Sequence, residues 1–189
     1  ELSTAWDIST ASYLQNFFVW PQETQPQALF FKPDGTKMYV LGSSGDDVNE
    51  YSLSTAWNVT TASYVQNFSV AAQDTFPTGL SFKPDGTKMY ISGNTGDDVN
   101  EYNLSTAWDI STASYLQNFS VATQETAPTG IFFKDDGTKM YVVGYLTDAV
   151  NEYSLSTAWD VTTASYVQNF SVLTQESFVE GILFKSDGT

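Results

Sequence analysis

Hydrophobic and polar positions alternate at period two along most of this chain, in short runs broken by Gly, Pro, Asp and Asn. Leu29-Phe30-Phe31 and Met38-Tyr39-Val40-Leu41 flank a Pro33-Asp34-Gly35 turn, which predicts a hairpin of strands A and B. A polar loop from Ser43 to Asp47 leads to Val48-Asn49-Glu50-Tyr51-Ser52-Leu53, a third short strand, C. Beyond Ser54-Thr55-Ala56-Trp57, the residues Tyr64, Phe68 and Val70 share one face of a fourth strand, D. No stretch sustains a 3.6-residue hydrophobic period, so helices are not expected.

The whole pattern recurs. Leu2-Ser3-Thr4-Ala5-Trp6 returns at Leu53, Leu104 and Leu155, always 51 residues on and without insertion. Repeats of this size build helical solenoids or β-propellers, and the β filling selects the propeller. The expected fold is all-β, an arc or part of a ring of four-stranded antiparallel blades. Residues 1–19 should give the outer strand of a first blade, 28–70, 79–121 and 130–172 three full blades, and 181–189 the start of another. The chain opens on Glu1 with no signal-peptide pattern and stops inside a hairpin turn, so it reads as a piece of a longer repeat chain. A ring assembled from several copies through open strand edges is the alternative.

The hairpin Phe82-Lys83-Pro84-Asp85-Gly86-Thr87-Lys88-Met89-Tyr90-Ile91 resembles that of YVTN-type and lactonase-like β-propeller repeats. The resemblance covers about ten residues per blade and implies the fold; it carries over no functional residue.

Side-chain periodicity places Leu29, Phe31, Leu80, Phe82, Ile131, Phe133, Ile182 and Phe184 on buried inner strands. Trp6, Trp57, Trp108 and Trp159 recur between strands C and D, where a large ring is expected to plug the gap between blades.

Composition removes much chemistry. There is no Cys and no His, which excludes disulfides, thiolate nucleophiles, imidazole-based triads and the usual zinc sites. Twenty-two acids against seven Lys give a net charge of −15, which argues against nucleic-acid partners, and no apolar run is long enough for membrane insertion. The lysines flank the Asp-Gly hairpins, whereas Glu23, Asp74 and Glu125 fall in the loops of the opposite face, as do Asp46, Asp47, Asp97, Asp98 and Asp148.

That acidic face is the expected ligand surface. Trp20 and Tyr145 stand on it where other copies have smaller residues, so Trp20, Glu23, Asp74, Glu125 and Tyr145 are the candidate contacts for a glycan or protein ligand. Asp46, Asp47, Asp97, Asp98 and Asp148 are candidate Ca²⁺ ligands, since that ion takes six to eight oxygens. No cofactor is required by the pattern. Near-identical blades repeat the same residue around an axis, whereas catalysis needs different residues converging, so the expectation is a multivalent binding module and not an enzyme. It would work outside the cell or on a cell or virion surface, with self-association through open edges. The alternatives are a structural spacer in a surface fibre, phage appendage or secreted matrix, and, less favoured, a lactonase- or glycosidase-like hydrolase.

Overall fold

The computed structural model describes residues 2–185 and 188. Three four-stranded antiparallel sheets follow one another, each in simple sequence order. The first holds β1 (Pro26–Phe31), β2 (Lys37–Gly42), β3 (Asp47–Leu53) and β4 (Ala62–Ser69). The second holds β5 (Pro77–Phe82), β6 (Lys88–Gly93), β7 (Asp98–Leu104) and β8 (Ala113–Ser120). The third holds β9 (Pro128–Phe133), β10 (Lys139–Gly144), β11 (Ala149–Leu155) and β12 (Ala164–Ser171). These are propeller blades, and they form an open arc in which inner strands β1, β5 and β9 lie side by side.

Each blade turns on the same devices. Gly86, at φ +74°, closes the β5–β6 hairpin, and its amide bonds back to the Lys83 carbonyl at 2.8 Å. The Trp108 indole lies flat on that glycine, where a Cβ would come within 2.4 Å of the ring. Trp108 itself takes φ +64° and its N–H donates to the Gly86 carbonyl at 3.0 Å, so hairpin and C-to-D connection are stitched together. After it, Asp109 accepts from the Ser111 amide and caps a short 3-10 turn, Ile110–Thr112.

A second set of bonds joins blade to blade. Lys37 and Tyr39 of the first blade both donate to the Trp108 carbonyl of the second, at 2.8 and 2.7 Å. Glu50, fully buried, accepts from Lys37, from Gln66 and from the Ile110 amide, while Gln66 also donates to Asp109. The constellation repeats one blade on, where Lys88, Tyr90, Glu101 and Gln117 hold Trp159, Asp160 and Val161. Buried ions persist here because each is paired and its remaining lone pairs are filled.

Several expected positions need correction. Leu80, Phe82, Ile131 and Phe133 are buried, as are Trp108 and Trp159, but Leu29 is exposed and Ile182 and Phe184 are only half-covered. Trp6 and Trp57 are exposed too. The reason is common to all: the buried residues are covered by the adjacent blade, and among the described residues no further four-stranded sheet stands beside the others. Residues 12–19, expected as the outer strand of a first blade, are assigned to no strand. Phe17 nonetheless packs edge-on against Tyr51 at 5.5 Å, the contact Phe68 makes with Tyr102. Residues 181–185 are assigned to no strand, while Ser186, Asp187 and Thr189, expected at the start of a further blade, lie outside the described residues.

Candidate functional site

The acidic face is not an open acidic surface. Glu23, Asp74 and Glu125 are buried, and their oxygens are taken by backbone N–H groups. Asp74 accepts from Phe76 at 2.7 Å and Gly96 at 2.8 Å, tying the loop between blades to the β6–β7 loop. Glu23 does the same with Gln25, Ser44 and Gly45, and Glu125 with Ala127 and Thr147. Gly93 ends β6 because a Cβ there would lie 2.1 Å from the Asp74 carboxylate. These three carboxylates, expected as ligand contacts, are buried loop anchors in the structure.

The paired aspartates divide their duties. Asp47 holds Asn49 and Asn67, both through side-chain amides, and Asp98 holds Asn100 and Asn118 in the same way. Burial raises the Asp98 pKa, against the pull of Asn118. Asp46, Asp97 and Asp148 sit at φ 47–48° in the loops, and one oxygen of Asp46 and one of Asp148 are buried without a partner. Burial first, then facing Asp74, Asp47 and Glu23, raises the Asp46 pKa. Among the described residues no three acidic groups are gathered as a metal-holding cluster. In the third blade Ala149 replaces the pivotal aspartate, and fully buried Asn151 is left with neither amide atom bonded.

The converging groups lie elsewhere, at the axis. A cavity of about 650 Å³ opens at the starts of β1, β5 and β9, walled by Gln27, Phe76, Thr78, Asn94 and Thr129, with Tyr145, Phe178 and Glu180 completing the rim. Thr78 donates to the Pro128 carbonyl at 2.6 Å, and Thr129 to that of Val179, so each threonine locks its blade to the next. Gln27, with no such bond, turns its amide to Ser43 at 2.9 Å. Tyr145 is the one sequence-selected contact that reaches this mouth; Trp20 stands in an exposed turn outside it.

The mouth gathers the positions where the repeats disagree. Phe76 and Phe178 alternate with Gln25 and Ala127, Tyr145 with Ser43 and Asn94, and Gln27 and Glu180 with two threonines. Sequence reasoning used this signal for Tyr145 but missed Gln27, Phe76, Asn94 and Phe178, since only the topology shows that these departures meet.

No family model and no curated protein matches the chain. Among solved structures it is similar to the Pseudomonas aeruginosa periplasmic gluconolactonase, PpgL, with TM-score 0.57 and 16% identity, over 78% of this chain and 40% of that one. It is similar also to Kuenenia stuttgartiensis hydrazine synthase, with TM-score 0.60 and 18% identity, over 94% and 44%. The β-propeller domain of Myceliophteria thermophila Cps50 (Swd1) aligns with TM-score 0.51 and 10% identity, over 78% and 43%. At such identities the likeness shows the fold, and the chain spans less than half the length of each. It also corrects the expectation of a non-enzyme: a gluconolactonase is among the similar structures, so repetition of blades is no argument against hydrolysis.

Proposed function

We propose that the axial mouth binds a polyhydroxylated, sugar-type ligand, with the arc serving as part of a ligand-binding propeller. The observation that carries this reading is the convergence of the non-repeating residues Phe76, Asn94, Tyr145 and Phe178 on one cavity. Aromatic faces suit the C–H face of a sugar ring, and amide and phenol groups can donate to and accept from its hydroxyls. The expected result of a glycan and sugar-lactone panel is binding that falls at least tenfold in Tyr145→Ser and Asn94→Ala, with unchanged melting temperature. A panel with no binder, or variants that bind like the parent, sinks the reading.

Glu180 supports a second, hydrolytic reading. It is the one carboxylate among the residues that wall the mouth, and a carboxylate beside a bound lactone can take a proton from the attacking water. Lactone turnover abolished in Glu180→Gln, with binding retained, would favour hydrolysis over simple capture; turnover that survives the change would remove it.

A further inference from the structure

Charge is divided along the axis on which the mouth lies. Lys32, Lys83 and Lys134 directly follow the last residues of β1, β5 and β9, and Lys37, Lys88 and Lys139 open β2, β6 and β10. Lys185 has the place of Lys32 in its own repeat, and its carbonyl accepts from Gly188 as that of Lys32 does from Gly35. Every lysine thus belongs to the hairpin end of the inner strands, whereas the mouth lies at their starts. An inner strand of 6 residues, at about 3.3 Å each, separates the two ends by about 20 Å, well beyond the screening length of about 8 Å at physiological salt. The mouth end holds the opposite charge. Glu23, Asp74 and Glu125 lie just before β1, β5 and β9, and the groups that donate to them are neutral N–H and O–H groups, not lysines. Asp46, Asp97 and Asp148 occupy the β2–β3, β6–β7 and β10–β11 loops of the same end. Their field is felt within the group: after burial, Asp74, Asp47 and Glu23 push the Asp46 pKa up. Glu180 adds an exposed carboxylate to the rim itself, and it enters none of the ion pairs among the described residues.

We propose that the mouth selects a sugar that carries an ammonium group, of the 2-amino-2-deoxy type, and rejects phosphorylated and carboxylated sugars. This rests on the reading of the mouth as a sugar site and names its substrate class. Glu180 supplies the counter-charge at the rim, where a charge-assisted hydrogen bond is about twice as strong as a neutral one. The rings of Phe76, Tyr145 and Phe178 attract a cation over their faces and also cover the apolar side of a sugar. An ammonium group gains from both kinds of wall. A neutral hydroxyl in its place gains little from the rings, and an anion is repelled by Glu180 and by the loop carboxylates behind it. The identity of residue 180 agrees with this. Its counterparts Thr78 and Thr129 donate to the Pro128 and Val179 carbonyls and so hold the next repeat, a bond that a carboxylate, which only accepts, cannot make. At this one position the repeat gives up a structural bond and places a negative charge at the mouth.

Calorimetric titration of the full chain tests this with three oligosaccharides of equal length: fully deacetylated chitotetraose, cellotetraose and tetragalacturonate, at a mildly acidic pH where the sugar amines are protonated. The ammonium sugar is expected to bind at least tenfold tighter than the neutral one at low salt, the carboxylated one not to bind, and the advantage to shrink as salt is raised. Glu180→Gln should remove most of that advantage. Asp135→Asn deletes the same charge from an exposed acid at the hairpin end and should leave the advantage intact. Both residues are exposed, so an unchanged melting temperature serves as the folding control. Equal binding of neutral and ammonium sugars overturns the proposal and leaves the sugar reading standing. An advantage that survives Glu180→Gln, or that the two variants reduce alike, overturns it as well, since the preference would then be general attraction to an acidic protein. If none of the three sugars binds, the proposal and the sugar reading fall together.

Discussion

Trp108 and Trp57 occupy the same place in their repeats, share φ +64° and lie on equivalent glycines, yet Trp108 is 8% exposed and Trp57 56%. Leu80 and Leu29 differ likewise, at 7% and 57%. The contrast separates two layers of folding. Strands, hairpin turns and 3-10 turns form within a repeat and look alike at the open end and in the closed interface. Burial is conferred by the neighbour: Phe30 and Tyr39 of the first blade close over Trp108, with ring centroids at 6.2 and 6.4 Å, and nothing among the described residues does so for Trp57. A blade is thus local in geometry but collective in stability, as nearest-neighbour repeat arrays are.

The largest test of this division is truncation of the two tryptophans. Trp108→Ala should cost about 3–5 kcal/mol in urea unfolding through the cavity it leaves, and Trp57→Ala about 1 kcal/mol or less. Equal losses would mean that the intrablade glycine contact, and not the neighbouring blade, carries the energy. Next in size are the paired glutamates. Glu101→Gln removes the charge paired with Lys88 and one of the two oxygens that accept from Lys88 and the Val161 amide, and should cost about 2–3 kcal/mol; Glu152→Gln, whose bonds stay within its own blade, should cost under about 1 kcal/mol. If Glu152→Gln matches Glu101→Gln, the cross-blade bonds add nothing.

How much of this was legible beforehand depends on the layer. Period-two alternation and turn residues act through the local chain, so the strands, the 51-residue repeat and the propeller fold could be read directly. The fate of the carboxylates could not. Glu23, Asp74 and Glu125 look like solvated loop acids in sequence, because a backbone N–H aimed at them leaves no mark in residue type. One trace existed: a glycine stands 19 positions after each, at Gly42, Gly93 and Gly144, and the structure shows why a side chain there is forbidden. The axial mouth was half legible through Tyr145, since departure from the repeat marks a position but not the positions it will meet.

A smaller effect compares the second and third blades. Asp98 satisfies Asn100 and Asn118, whereas Ala149 leaves buried Asn151 unpaired. Ala149→Asp should therefore gain about 1 kcal/mol, and Asp98→Ala should lose about 1–3 kcal/mol by orphaning two amides. A destabilised Ala149→Asp would show that water already serves Asn151 and that the added charge only costs desolvation.

The smallest expected effect is the pH profile, which sets the loop acids against the interface acids. Asp46 and Asp98 have raised pKa values, burial being the first cause of each. Their ionised forms cost stability at neutral pH, and that cost is relieved as pH falls through their folded values, above the usual carboxylate range. Asp109 has a lowered pKa, through the Ser111 hydroxyl first and then Gln66 across the interface; in Asp160 the Thr162 hydroxyl leads, with burial opposing and Gln117 assisting. Their contribution is present above the unfolded value near 3.9 and is lost as pH falls through the lower folded values. Relief of self-repulsion at net charge −15 acts with the first pair. Melting temperature should accordingly rise slightly from pH 7 to about 5 and drop below about 3.5, and the acid drop should shrink when Asp109 and Asp160 are both changed to Asn. If the double variant falls as steeply as the parent, the cross-blade amide bonds are not what acid breaks, and the closed interfaces differ from the open ends by packing alone.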